Sequence, residues 1–151
     1  MNTVSKLYQE PKAVHLEDVL VELVKVYNHR RQSILNRYQV VDQEVDIINY
    51  LNEQEMKKMK EVGEFFNIKL STLTSTIDKL EKNKLVKRKS SKDDRRVIFI
   101  RPTAKGQNLL NELAQFTREA VKSQAGSLKQ HEFDALIGGM QSIVDAFKAS
   151  N

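Results

Sequence analysis

Between Leu85 and Arg101 the hydrophobic pattern of this chain changes period, and that change limits the fold more than any other feature. On either side, apolar residues recur at the spacing of a helix face. Within it, Leu85-Val86-Lys87-Arg88-Lys89 and Val97-Ile98-Phe99-Ile100-Arg101 are β-branched or apolar runs joined by Ser90-Ser91-Lys92-Asp93-Asp94-Arg95-Arg96. They predict two antiparallel strands with a charged, extended connection. Four helices are expected before them. Residues 1–13 read as an irregular arm, with Pro11 discouraging an earlier helix start. Leu16, Val19, Leu20, Leu23, Tyr27, Ile34 and Tyr38 then predict a long helix from about Val14 to Tyr38. Asp42 is the expected N-cap of a second helix, with Val45, Ile48 and Leu51 on one face. Met59, Val62, Phe65 and Phe66 mark a third, with Asn67 as its stop. The fourth runs from about Leu70 to Asn83, with Leu73, Ile77 and Leu80 inward and Ser71, Thr72, Ser75 and Lys79 outward. Beyond Pro102, Thr103 can cap a helix that runs to about Gln124, where Gly126 breaks it. A last helix carries a seam from Phe133 to Phe147. The order α-α-α-α-β-β-α-α in 151 residues suits one compact domain, or one domain plus interface helices.

Composition removes several classes of function. The chain has no cysteine, so disulfides, thiolate metal sites and thiol redox sensing are excluded. His15, His29 and His131 lack a second histidine at helical ligand spacing, and no metal site is expected. Asp42-Gln43-Glu44 and Glu53-Gln54-Glu55 read as cap and loop residues rather than paired catalytic carboxylates. No P-loop, GxGxxG or GxSxG occurs. Neither a catalytic site nor a cofactor is expected. No run approaches the roughly 18 apolar residues of a membrane span, and Met1 to Lys12 lacks a signal peptide's apolar stretch. The expectation is a soluble, cytoplasmic protein with no membrane partner.

Charge points to a partner. Residues 57–101 hold 14 basic and 6 acidic residues, a net of +8, while the rest of the chain nets −3. Nine of those basic residues lie between Lys82 and Arg101: Lys82, Lys84, Lys87, Arg88, Lys89, Lys92, Arg95, Arg96 and Arg101. Such a run is either a solvated face or a phosphate-binding surface. Position on the fold favours the second. Ser71, Thr72, Thr74, Ser75 and Thr76 put five hydroxyls into six positions of the fourth helix, poor material for helix propensity. Small hydroxyl side chains let a helix backbone approach base edges in a major groove. Two short helices, this hydroxyl-faced helix and a basic hairpin together describe a winged helix-turn-helix. Arg95 at the hairpin tip could enter a minor groove, and Asp93, two residues earlier, could orient its guanidinium.

These residues resemble the MarR (multiple antibiotic resistance regulator) family of transcriptional regulators. The resemblance is densest in Ser71-Thr72-Leu73-Thr74, Ile77-Asp78-Lys79-Leu80-Glu81, Leu85-Val86-Lys87-Arg88, Asp93-Asp94-Arg95-Arg96 and Arg101-Pro102-Thr103-Ala104-Lys105-Gly106. It implies a mostly α fold with a small β-hairpin wing. An N-terminal arm and dimerisation helix would span 1–40, the DNA-binding lobe 41–102, and C-terminal dimerisation helices 103–151. It implies recognition-helix contacts at Ser71, Thr72 and Ser75, and a minor-groove Arg95 braced by Asp93. It also implies a homodimer, with a cleft for a small-molecule effector in ligand-sensing members. Three departures stand out. Lys69 occupies the usual Ser/Thr cap position, predicting a weaker or shifted cap. Ser75 replaces a common base-reading arginine. Lys84 replaces the glycine after the recognition helix, where Asn83 tolerates the left-handed conformation of such a stop.

The resulting expectation is a repressor on a pseudo-palindromic operator in double-stranded DNA. The recognition helix, about 70–83, would lie in the major groove through Ser71, Thr72, Thr74 and Ser75. Lys79 and the wing lysines, Lys89 and Lys92, would lie on phosphates, and the wing, about 89–96 and including Arg96, would reach the minor groove through Arg95. The Phe133 to Phe147 stripe is either core or a dimer seam, and Gly138-Gly139 within it suits close helix approach across a two-fold axis. The competing reading is a winged-helix interaction module whose basic face binds an acidic protein.

Overall fold

The computed structural model describes residues 11–53, 56–91, 94 and 97–149. Its elements are α1 (Pro11–Tyr38), α2 (Asp42–Asn52), β1 (Lys57–Lys58), α3 (Met59–Phe65), α4 (Leu70–Lys82), β2 (Val86–Ser90), β3 (Ile98–Pro102), α5 (Ala104–Ala125) and α6 (Gln130–Ala149). The chain divides into two compact units, Met1–Asn111 and Glu112–Asn151. The expected fold class, mostly helical with a small hairpin, is the one observed.

The first unit is built around α2, α4 and the sheet. Val45, Ile47, Ile48 and Leu51 of α2 are buried, as are Leu73, Ile77 and Leu80 of α4 and Ile100 of β3. Each such side chain contributes roughly 1.5–3 kcal/mol when fully withdrawn from water. The sheet is antiparallel in the order β1-β3-β2, with Arg88 opposite Ile100 and Lys57 opposite Ile100 on the other edge. Strand β1 was not expected. Two consecutive lysines carry no alternating pattern, and only the free edge of β3 recruits them into a strand.

Helix ends differ from expectation at three points. Helix α1 already includes Pro11, Lys12 and Ala13; proline is tolerated in a first turn because its missing N–H has no helical partner there. Val41, not Asp42, caps α2: its backbone N–H donates to Glu44 Oε2 at 2.9 Å. Asp42 instead accepts from the Arg31 guanidinium of α1, at 2.8 Å from Nε and 2.6 Å from Nη2. After α4 the left-handed residue is Lys84, with φ 61°, while Asn83 stays right-handed at φ −77°.

The same stop ends three helices. After α1, α3 and α4, Gln39, Asn67 and Lys84 take positive φ. In each case the next residue donates to the carbonyl five positions back: Val40 to Leu35 at 3.1 Å, Ile68 to Gly63 at 2.9 Å, Leu85 to Leu80 at 2.9 Å. This is the Schellman arrangement, closed at the first and last of these ends by buried apolar pairs, Leu35 with Val40 and Leu80 with Leu85. Asn67 is the stop expected from the sequence; Gln39 and Lys84 carry a Cβ where glycine would be easier.

The second unit holds the end of α5 and all of α6. Gly126 follows α5, and Lys129 N–H donates to Glu132 Oε2 at 2.8 Å to close the start of α6. No residue of α6 is buried.

Candidate nucleic-acid interface

Helix α4 separates its two faces cleanly. Leu73, Ile77 and Leu80 have no exposed surface, whereas Ser71, Thr72, Thr74, Ser75 and Lys79 are exposed. As expected from Lys69, no side chain caps the helix; Lys69 supplies only its carbonyl, which accepts from Leu73 N–H at 2.9 Å. The hydroxyls compensate along the helix. Thr74 Oγ1 donates to the Leu70 carbonyl at 2.7 Å, Ser75 Oγ to Thr72 at 2.8 Å and Thr76 Oγ1 to Thr72 at 3.0 Å. Donating inward leaves their lone pairs outward, so Thr74 and Ser75 present acceptors. Over Ser71, Thr72, Thr74 and Ser75 this face is polar and carries only short side chains, with Lys79 one turn further on.

Lys79 and Arg88 of the basic segment tie separate elements of the lobe together. Lys79 Nζ stands 2.8 Å from both oxygens of Glu44, whose side chain is only 7% exposed. Glu44 therefore closes α2 and ties it to α4 with one carboxylate. Arg88 of β2 is bound more fully. Its Nη1 pairs with Asp78 at 2.6 Å and Glu81 at 2.8 Å, and its Nη2 donates to the Thr74 carbonyl at 3.2 Å. Its backbone N–H adds a bond to Glu81 Oε1 at 3.1 Å. Arg88 is thus a clip between the hairpin and α4, a role its place in a basic run gives no sign of. Lys87 and Lys89 flank it on β2 and are exposed.

A second set of contacts fixes the hairpin's base. Thr103 Oγ1 accepts from Gly106 N–H at 3.2 Å, capping α5 as expected, and donates to the Lys84 carbonyl at 2.6 Å. Lys105 Nζ donates to the Asn83 carbonyl at 3.0 Å. Gly106 packs so tightly that a Cβ there would lie 2.3 Å from the Leu85 carbonyl oxygen. The Thr103-Ala104-Lys105-Gly106 run is therefore a joint that locks the end of α4 to the start of α5. Toward the tip, Ser91 N–H donates to the Val97 carbonyl at 2.9 Å, as does Val97 N–H to Asp94. Lys92, Asp93, Arg95 and Arg96 lie outside the described residues, and with them the expected Asp93–Arg95 brace. Among the described residues no cluster of metal-ligating side chains occurs and no helix is long and apolar enough to cross a membrane.

A helix-turn-helix followed by a hairpin docked on its second helix defines a winged-helix protein. The sequence pattern of the MarR family matches residues 42–98, the segment from α2 to β3. The chain is 28% identical over 123 residues to the HTH-type transcriptional regulator MhqR of Bacillus subtilis (strain 168), covering 82% of this chain and 85% of that protein. It is 30% identical over 95 residues to the uncharacterized HTH-type transcriptional regulator YpoP of the same organism, covering 63% and 67%. Among solved structures, the S. aureus MepR–DNA complex superposes with a TM-score of 0.72 at 15% identity, over 89% of this chain and 98% of that one, a likeness of fold. The protein belongs to the MarR family. It is a transcriptional regulator; the family is not one of enzymes.

Proposed function

We propose that this protein is a homodimeric, sequence-specific DNA-binding repressor that occupies a pseudo-palindromic operator. The observation that carries the reading is α4, which buries three apolar residues and turns Ser71, Thr72, Thr74 and Ser75 outward beside a basic hairpin. In the major groove these small side chains let the helix backbone approach base edges and phosphates. Lys89 and Lys92 lie on phosphates, and the wing that includes Arg96 reaches the adjacent minor groove through Arg95, oriented by Asp93. Lys79 reaches a phosphate from its place on Glu44. The structurally similar MepR has been solved on DNA, which supports the same use of the fold here.

Dimerisation is supported by apolar surface. Leu136, Ile137, Met140, Val144 and Phe147 of α6 are 39–71% exposed, and Leu16, Val19, Leu23 and Tyr27 of α1 are 40–50% exposed. Such runs seek a partner. In a dimer the two α4 helices must stand about one helical turn apart, roughly 34 Å, and a small-molecule effector would act by changing that separation. The test is selection of bound sequences from random duplex DNA, followed by binding at a series of salt concentrations. The expected result is a palindrome with half-sites one turn apart and a steep linear fall of log affinity with log salt. Binding to acidic polypeptides without duplex affinity would establish an interaction module instead.

A further inference from the structure

We propose that the groove between α4 and the hairpin seats one sugar–phosphate strand of the operator, with Lys58 and Lys60 as phosphate contacts and Leu70 and Ile98 as sugar contacts. This rests on the DNA-binding reading above. The groove has a volume of about 620 Å³. One wall is Leu70, Thr74 and Asp78 of α4, residues four apart and therefore on a single helix face, and the other is Arg88, Val97 and Ile98. Lys58 and Lys60, at β1 and the start of α3, also line it.

The occupant follows from duplex geometry and from the chemistry of the walls. A helix in a major groove and a hairpin in the neighbouring minor groove must have one backbone strand between them. That strand alternates apolar sugar faces with anionic phosphates, and the groove offers both complements. Leu70 is 59% exposed and Ile98 38% exposed, an apolar pair beside a polar reading face. Arg88 is shared between Asp78 at 2.6 Å and Glu81 at 2.8 Å, so that cluster offers no free positive charge and leaves Lys58 and Lys60 as the cations of the groove. Their own partners are weak: Lys58 is 3.9 Å from Glu61, and Lys60, 85% exposed, is 3.7 Å from Glu64. Surface pairs of this kind contribute little, so either ammonium can turn to a phosphate. No sequence motif marks these positions, because Lys58, Leu70 and Ile98 meet only in the folded lobe.

The experiment measures salt-dependent affinity of the full chain for two duplexes, the selected site and a scrambled sequence of equal composition. Lys58→Ala and Lys60→Ala should each flatten the salt slope by about 1 on both duplexes. Leu70→Ser and Ile98→Thr should weaken both duplexes by the same factor, roughly five- to ten-fold, with the slope unchanged. Thermal melting of each variant identifies any loss that comes from unfolding. Wild-type binding with all four folded variants indistinguishable from it overturns the groove assignment alone. Losses at Leu70 confined to the selected site overturn it too, because they would make Leu70 a base reader. A wild-type chain with no salt-dependent duplex affinity overturns the DNA-binding reading itself.

Discussion

Lys84 and Gly106 stand at opposite ends of one joint, and both positions favour glycine, the first for its backbone conformation and the second for its packing. Lys84 holds φ 61° after α4, a region that disfavours any residue with a Cβ. Its amide still donates to Glu81 at 2.9 Å, so the helix stop is made despite the strain. Lys84→Gly should raise stability by about 1 kcal/mol, read as a higher denaturant midpoint with unchanged m-value. Gly106→Ala should do the reverse: a Cβ 2.3 Å from the Leu85 carbonyl must push α5 away from the hairpin. A loss of about 1–3 kcal/mol is expected, checked by the same titration. The Thr-x-x-Gly run is legible in the sequence as a helix start. That its glycine serves contact with Leu85 is not, since nothing local requires it.

At the scale of elements, the basic run divides into cations that hold the lobe together and cations that face outward. Arg88 makes two ion pairs and a carbonyl contact with α4, whereas exposed Lys89, next to it, extends from the same strand. Arg88→Ala should therefore lower stability by about 1–2 kcal/mol and leave the salt slope of duplex binding unchanged. Lys89→Ala should leave the melting temperature unchanged and lower that slope by about 1. Equal slope changes would count against the clip. The sequence shows nine basic residues between Lys82 and Arg101 as equals. They differ because β2 docks beside α4 and brings Asp78 and Glu81 within reach of one arginine.

The whole molecule presents apolar faces that its own described core does not cover. Helix α6 carries five large apolar residues at 39–71% exposure and buries none. Gly138 and Gly139 have open space where a Cβ would stand, which a second helix could fill by close approach. If α6 is a dimer seam, Met140→Asp with Ile143→Asp should convert the protein to a monomer by light scattering and abolish duplex binding, because one half-site contact cannot replace two. A stable variant monomer that keeps operator affinity would remove the dimer from the mechanism.

What the sequence determined by itself is whatever depends on neighbours along the chain. The period of Leu73, Ile77 and Leu80 fixes which face of α4 is buried, and so turns Ser71, Thr72 and Ser75 outward. The change to β-branched runs fixes a hairpin, placed within one residue of the observed strands. Tertiary structure decided the rest. Glu44 and Lys79 are 35 residues apart, and only the packing of α2 on α4 joins them. Strand β1 exists because β3 offers an unpaired edge, and Lys84 turns left-handed because Leu85 must reach the core while Asn83 finishes the helix. Periodicity is a local signal that a chain carries in the order of its residues. Charge pairing and strain are set by distances that exist only after the elements have packed.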